Sequence, residues 1–297
     1  MGVQGLAPVL RAMVLLLLSV PVVLGQPPVD HKTFITRLGA EADAFERTAY
    51  RIGGRETLTQ TVPNGVRIVR NLRGVYTKLP GYTREIVSEY GYVSVDMRGG
   101  SLREVRRVLL IDGQRWNKDS RSLKTLARDL AAGDDKARQR SLERMEEFGL
   151  NGFVSDLGQL ILLFARGGAL RYEFQFEKVE EDGTVAFTYQ QLDGPEAVTV
   201  YGETPQPIRQ KLKGHIWVQQ TSGLPLRISL ESTRESEGQF LRDRSVVEYA
   251  QSSYGILLPL HIRHQQHSGA TLLVTDEFDY SGWKQFIAPA ATRTAAR

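Results

Sequence analysis

The sequence contains no cysteine, which excludes disulfides and thiolate metal sites. It also excludes the lipid-bearing cysteine that a bacterial lipoprotein would need at Gln26. Charge of one sign is lacking too: 38 Lys and Arg are set against 34 Asp and Glu, a formal net charge of +4. The signs alternate closely, as in "SLERMEEF" and "STRESEGQFLRDR". No basic face interleaved with base-stacking aromatics emerges, so nucleic acid is not an expected partner. Catalytic signatures are missing as well. There is no GxSxG, HExxH, P-loop or GxGxxG, and the chain reads as non-enzymatic, with no cofactor. Without disulfides, about 270 residues must rely on a buried core, and a chain of that length can build one.

Long apolar runs are absent except near the start. Arg11 is the one charge among the first 29 residues, and it precedes Met13–Leu18 and then Ser19-Val20-Pro21-Val22-Val23-Leu24-Gly25. A cationic n-region, a short h-region and small residues at the end predict a secretory signal peptide over 1–25. The run falls short of the ~20 apolar residues that span a bilayer.

Beyond residue 29 the chain is patterned in three regions. Phe34, Leu38, Ala42, Phe45 and Ala49 recur at helical spacing and predict a helix over Asp30–Tyr50, stopped by Gly53-Gly54. "RETLTQTV", "GVRIVRNL", "TREIVSEYGYVSVDM" and "LREVRRVLLIDGQRW" then read as strands, with Pro63-Asn64-Gly65 and Gly99-Gly100 as turns. From Asp119 to Arg166 the period lengthens again and predicts three helices. The first carries Leu123, Leu126 and Leu130, and the second Leu142, Met145 and Phe148. The third, about Asp156–Arg166, carries Leu157, Leu160, Ile161 and Phe164, with Phe153 ahead of it on the same side. Almost everything beyond Gly168 alternates at period two, from "LRYEFQFEKV" to "TLLVTDEFDYSGW". Residues 288–297 read as a frayed tail.

Period-two alternation gives a sheet with one dry and one wet face, as antiparallel sheets allow. Strands twist, so eleven or so of them curl rather than lie flat. The expected fold is therefore mainly antiparallel β with α, an unclosed curved β half-barrel of about 11 strands. An N-terminal helix and the helical insert 119–166 cover its apolar concave face. Residues 26–287 are expected to form a single domain.

Two polar clusters are candidate sites. "HIRHQQH" holds His261, His264 and His267. Alternation places His261 and His267 on one face, ~20 Å apart at ~3.3 Å per residue, and turns His264 to the other, a poor metal geometry. Asp276, Glu277 and Asp279 form the second cluster, as oxygen ligands for calcium or as acid and base; only Glu277 and Asp279 share a face, and the other reading of these charges is protection of a sheet edge. Trp217 alternates out of phase with Ile216 and Val218. It is either an aromatic on the wet face or a ligand contact.

"KGHIWVQQTSGLPLRISL" resembles a hairpin of the periplasmic lipoprotein-carrier family, the LolA-like and RseB-like proteins. The matching positions are Gly214, Ile216, Trp217, Val218, Thr221, Gly223, Leu224, Pro225, Leu226 and Arg227. "DGQRW", Asp112–Trp116, resembles the strand end before that family's helices. The resemblance implies a helical lid over an apolar cavity that holds lipid or lipoprotein acyl chains in the periplasm. The RseB-like branch implies an alternative, a sensor or adaptor that binds another envelope protein. Residues expected to line the cavity are Leu157, Leu160, Ile161 and Phe164 from the insert. Phe174, Phe176, Phe187, Ile216, Val218, Leu226 and Ile228 are expected to line it from the strands.

Overall fold

The computed structural model describes residues 30–66, 68–70, 76–94, 102–116, 121–131, 145, 147–150, 154–192, 197–199, 208–236 and 239–285. The expected signal peptide and the tail from 288 lie outside them, as do Leu142 and Phe153.

Helix α1, His31–Thr48, starts where the Asp30 carboxylate accepts the Thr33 amide at 3.1 Å, an N-cap that satisfies a free donor of the first turn. Its stripe of Phe34, Leu38, Ala42 and Phe45 is fully buried. The helix ends earlier than the spacing predicts. A 3-10 turn over Ala49–Arg51 leads directly into strand β1, Ile52–Val62. Gly53 and Gly54 lie inside β1 instead of stopping the helix. A Cβ on Gly54 would come within 2.9 Å of the Trp283 ring, so this glycine makes room for an aromatic.

The strands of the main sheet are β1, β2 (Tyr82–Ser94), β3 (Leu102–Ile111), β4 (Gln114–Arg115), β5 (Tyr172–Val179) and β6 (Thr184–Gln191). They continue with β7 (Lys213–Gln219), β8 (Pro225–Ser236), β9 (Gln239–Gln251), β10 (Leu257–Ser268) and β11 (Thr271–Gln285). Among the described residues these eleven form one sheet in the order β4-β3-β2-β1-β11-β10-β9-β8-β7-β6-β5. Every neighbouring pair is antiparallel. Two meanders, β1–β4 and β5–β11, meet where the first strand pairs with the last. Two short hairpins stand apart from the sheet, Ile68–Arg70 with Tyr76–Lys78 and Ala197–Thr199 with Ile208–Gln210.

The sheet is curved, and α1 shows by how much. Phe34 stacks on Phe187 of β6 with centroids 4.3 Å apart, while Phe45 meets Tyr92 of β2 at 5.2 Å. Those two helix positions are ~16 Å apart at ~1.5 Å per residue. Seven strand spacings separate β2 from β6, ~34 Å in a flat sheet at ~4.8 Å each. Only a sheet curled around the helix brings both ends to it. The fold is an unclosed curved antiparallel sheet with an N-terminal helix in its hollow.

The insert divides between the two faces, where the sequence suggested a single cover. Helix α2, Leu123–Ala131, packs Leu123, Leu126 and Ala127 on Val93 and Val105. Val93 alternates with Tyr92, which faces α1, so α2 lies on the convex side. The segment Val154–Phe164 lies on the concave side and joins the main core.

That segment is not the α-helix expected over Asp156–Arg166. It is an irregular stretch, with Asp156 at φ 64°, that ends in a 3-10 turn, Leu160–Phe164. Leu160 and Leu162 donate three residues back, to Leu157 and Gln159, and other amides bond to the sheet. Asp156 and Gly158 donate to the Glu104 carboxylate at 2.8 and 2.7 Å, and Ile161 donates to the Tyr249 hydroxyl at 3.1 Å. The first four amides of a helix have no partner within it, so Glu104 merely caps this segment. The i→i−4 ladder is lost further on, where Tyr249 takes the Ile161 amide and Leu160 and Leu162 bond three residues back.

Candidate functional site

The concave face has two chemically different ends. At the β5–β8 end it is lined by rings and aliphatics. Phe34 of α1 sits between Phe187, stacked, and Phe174, edge-on at 5.4 Å. Phe164 closes on Tyr172 and Tyr189 at 5.2 and 5.4 Å. Of the residues expected to line a cavity, Leu157, Leu160, Ile161, Phe164, Phe174, Phe187, Ile216, Val218 and Ile228 are buried together in this core. Leu226 is half-buried and packs against it. Phe176 stands apart, 55% exposed at the rim.

Gly214, the first matching position of the hairpin motif, is explained here. It pairs with Tyr189 across β6 and β7. A Cβ at Gly214 would collide with the Ser229 carbonyl oxygen. Without one, the Tyr189 hydroxyl reaches across and donates to that oxygen at 2.7 Å. Burial pushes the Tyr189 phenol well up, so it remains a donor.

At the other end two buried ionic clusters lie among apolar side chains such as Leu58, Ile86, Ile262 and Phe278. In the first, Arg106 of β3 donates to both oxygens of Glu56 at 2.6 and 2.8 Å and to Glu104 at 2.7 Å. Tyr280 donates to Glu56 and Tyr90 to Glu104. Burial alone would lower the Arg106 pKa, but Glu56 and Glu104 outweigh it and hold the guanidinium charged. Burial raises the Glu56 carboxyl more than Arg106, shared between two acids, pulls it down. Glu104 is also the group that accepts the Asp156 and Gly158 amides, so this cluster fastens the Val154–Phe164 strap to the sheet. The Tyr249 hydroxyl adds a second fastening, accepting from Ile161 and donating to the Gly158 carbonyl at 3.4 Å.

In the second cluster His264, fully buried, lies between Asp276 and Asp243. Nδ1 is 2.9 Å from Asp276 and Nε2 is 3.2 Å from Asp243. Gln60 donates to Asp276 at 2.7 Å and Gln266 to Asp243 at 2.9 Å. Burial would lower the imidazole pKa, but hydrogen bonds to the two carboxylates and their charges raise it to about 9. Both ring nitrogens therefore donate at neutral pH.

No known family model matches the chain, and no curated protein matches it in sequence. Two solved structures are similar to it. One is a DUF1329 family protein from Desulfovibrio piger, at 11% identity over 90% of this chain and 98% of that one, with a TM-score of 0.35. The other is a LolA superfamily protein from Nitrosomonas europaea, at 11% identity over 86% of this chain and 94% of that one, with a TM-score of 0.31.

Alternation sorted the histidines by face but did not reveal their partners. His261 pairs with Asp279 at 2.9 Å on the wet face. Glu277 lies 3.6 Å from Arg263 there. Asp276 faces the core with His264. The edge-protection reading of these acids is corrected, because β11 lies mid-sheet between β1 and β10. Trp217 is on the wet face, donating to Glu180 at 3.1 Å, stacked on His215 and covered by Arg227 at 5.1 Å. Glu56, Glu104 and Arg106 escaped sequence reasoning. A strand reading "LREVRR" with acid and base two apart was the available signal, since such residues share a face. Among the described residues no helix is long and apolar enough to cross a membrane.

Proposed function

We propose that this is an exported, non-catalytic binding protein that takes a lipid or lipoprotein acyl chain against the concave face, beneath the Val154–Phe164 strap. In this reading residues 1–25 are a cleaved leader, 26–287 form one domain and the protein works in the periplasm. The observation that carries it is the way the strap is held. Apolar Leu157, Leu160, Ile161 and Phe164 lie on an apolar sheet, while the polar attachments gather at two points, Glu104 and Tyr249. A chain sliding between strap and strands would exchange one apolar contact for another. Each methylene removed from water contributes about 0.8 kcal/mol, enough for extraction without chemistry. The hairpin resemblance at Gly214–Leu230 supports the same reading.

The test is organic extraction and mass spectrometry of protein purified from the exporting compartment, with displacement of a fluorescent fatty acid. Bound acyl lipid and saturable displacement are expected. Absence of both overturns the reading, and a protein partner retained after delipidation would favour the adaptor alternative.

A further inference from the structure

The two free edges of the sheet are treated differently. At β3 the Glu104 amide is taken by the Asp156 carboxylate at 3.1 Å, so the strap covers that edge. At β5 the preceding turn takes the Tyr172 amide, which donates to the Ala169 carbonyl, and no other segment among the described residues lies along the edge. Leu192 donates to the Arg171 carbonyl at 2.8 Å, which makes Arg171 and Leu192 a hydrogen-bonded pair. In an antiparallel ladder such pairs alternate, so Glu173 and Gln175 also bond inward to β6. Phe174 and Phe176 therefore turn both their N–H and C=O groups outward, and Tyr172 its C=O. Phe176 is 55% exposed, and Leu170 at the start of the edge is 78% exposed. Native edges of this kind are normally blunted or occupied.

The order of side chains along this edge says what fits it. A second β5 laid antiparallel, with a twofold axis through Phe174, sets Arg171 opposite Glu177 and Glu173 opposite Gln175 on the wet face. On the dry face it sets Phe174 opposite Phe174 and Tyr172 opposite Phe176. Charge meets opposite charge, an acid meets an amide and rings meet rings, each pair occurring on both sides of the axis except Phe174 with Phe174, which lies on it. The outward backbone groups of Tyr172, Phe174 and Phe176 fall in register as the hydrogen-bonded pairs, about four bonds in all, since the Tyr172 amide is held by Ala169. Moving the axis one residue, to Gln175, opposes Glu173 to Glu177 and loses the match. The window is bounded by the 3-10 turn Gly168–Arg171 on one side and by the register shift between Phe176 and Lys178 on the other.

We propose that the β5 edge is a homodimer interface, in which two copies pair antiparallel about Phe174 and their half-barrels run on as one sheet. The self-complementary order of Arg171–Glu177 is the ground for choosing a second copy over a foreign strand. The interface does not depend on what the concave face binds.

Sedimentation equilibrium of the mature chain from about 1 to about 100 μM is expected to show a monomer–dimer equilibrium. Arg171→Glu or Glu177→Arg, each altering two contacts by symmetry, is expected to weaken the dimer about tenfold, and the double exchange to restore it. The register is read with thiols, since the native chain has none. Oxidation of Glu173→Cys mixed with Gln175→Cys is expected to yield a covalent dimer, because a non-hydrogen-bonded pair places Cα atoms ~4.5 Å apart. Neither variant alone should cross-link. A monomer across the whole range, an unaffected dimer after single charge reversal, or cross-linking by Gln175→Cys alone overturns the proposal.

Discussion

At the β5–β8 end of the hollow, α1 meets the sheet through rings, with Phe34 between Phe174 and Phe187. At the β1–β3 and β9–β11 end, the same face carries Arg106 between two glutamates and His264 between two aspartates. Both ends are buried, yet they tolerate change differently. Dispersion and apolar burial are non-directional, so a lost ring costs its area and the void it leaves. A buried ion has a desolvation cost that only its own partner offsets. In the function proposed above, the aromatic end is the one that takes a foreign chain; the ionic end holds the protein's own parts in place.

Breaking the ionic end should have the largest effect. Arg106→Met leaves Glu56 and Glu104 buried without their cation and is expected to cost about 4 kcal/mol, read as a lowered urea midpoint. It should also free the strap, raising proteolytic cleavage between Val154 and Phe164. At the aromatic end, Phe34→Ala is expected to cost about 3 kcal/mol in the same assay. Phe34→Leu should recover most of that, because volume-conserving exchanges cost less. A urea series showing equal tolerance at Arg106 and Phe34 would erase the distinction between the two ends.

The pH dependence sharpens the comparison. The His264 pKa rises from 6.5 to about 9 in the folded chain. A raised pKa means protons bound more tightly by the folded state, so the stabilisation is whole below pH 6.5 and is lost as pH climbs through about 9. The loss across that window should be about 3 kcal/mol, and His264→Gln should flatten the slope. The smallest effect is expected from Tyr249→Phe. It removes one hydroxyl from the strap's attachments and should lower stability by about 1 kcal/mol, while hydrogen exchange at the Ile161 amide rises markedly.

Much of the fold was legible because alternation is local. Ile216 with Val218 and Phe174 with Phe187 declare a dry face from neighbouring residues alone, and the α1 stripe from Phe34 to Phe45 does so at helical spacing. The strap departs from its sequence pattern for a non-local reason. Leu157, Leu160, Ile161 and Phe164 keep a helical period, but Tyr249, distant in sequence, takes the Ile161 amide a helix would need, and Glu104 pins the start of the segment to the sheet. The ionic clusters were hidden for the same cause. His264 is one member of a histidine run until strands on either side bring Asp243 and Asp276 to it.

Composition and period-two patterning by themselves determined that this chain builds a curved, one-sided antiparallel sheet without disulfides. Tertiary structure alone decided that the first strand pairs with the last, that α2 lies on the outside and the strap inside, and that the buried charges find each other. Those choices rest on contacts such as Gln60 with Asp276 and Glu56 with Tyr280, separated by 216 and 224 residues. A local pattern states which way a side chain points; only the folded order of the strands states what it meets there.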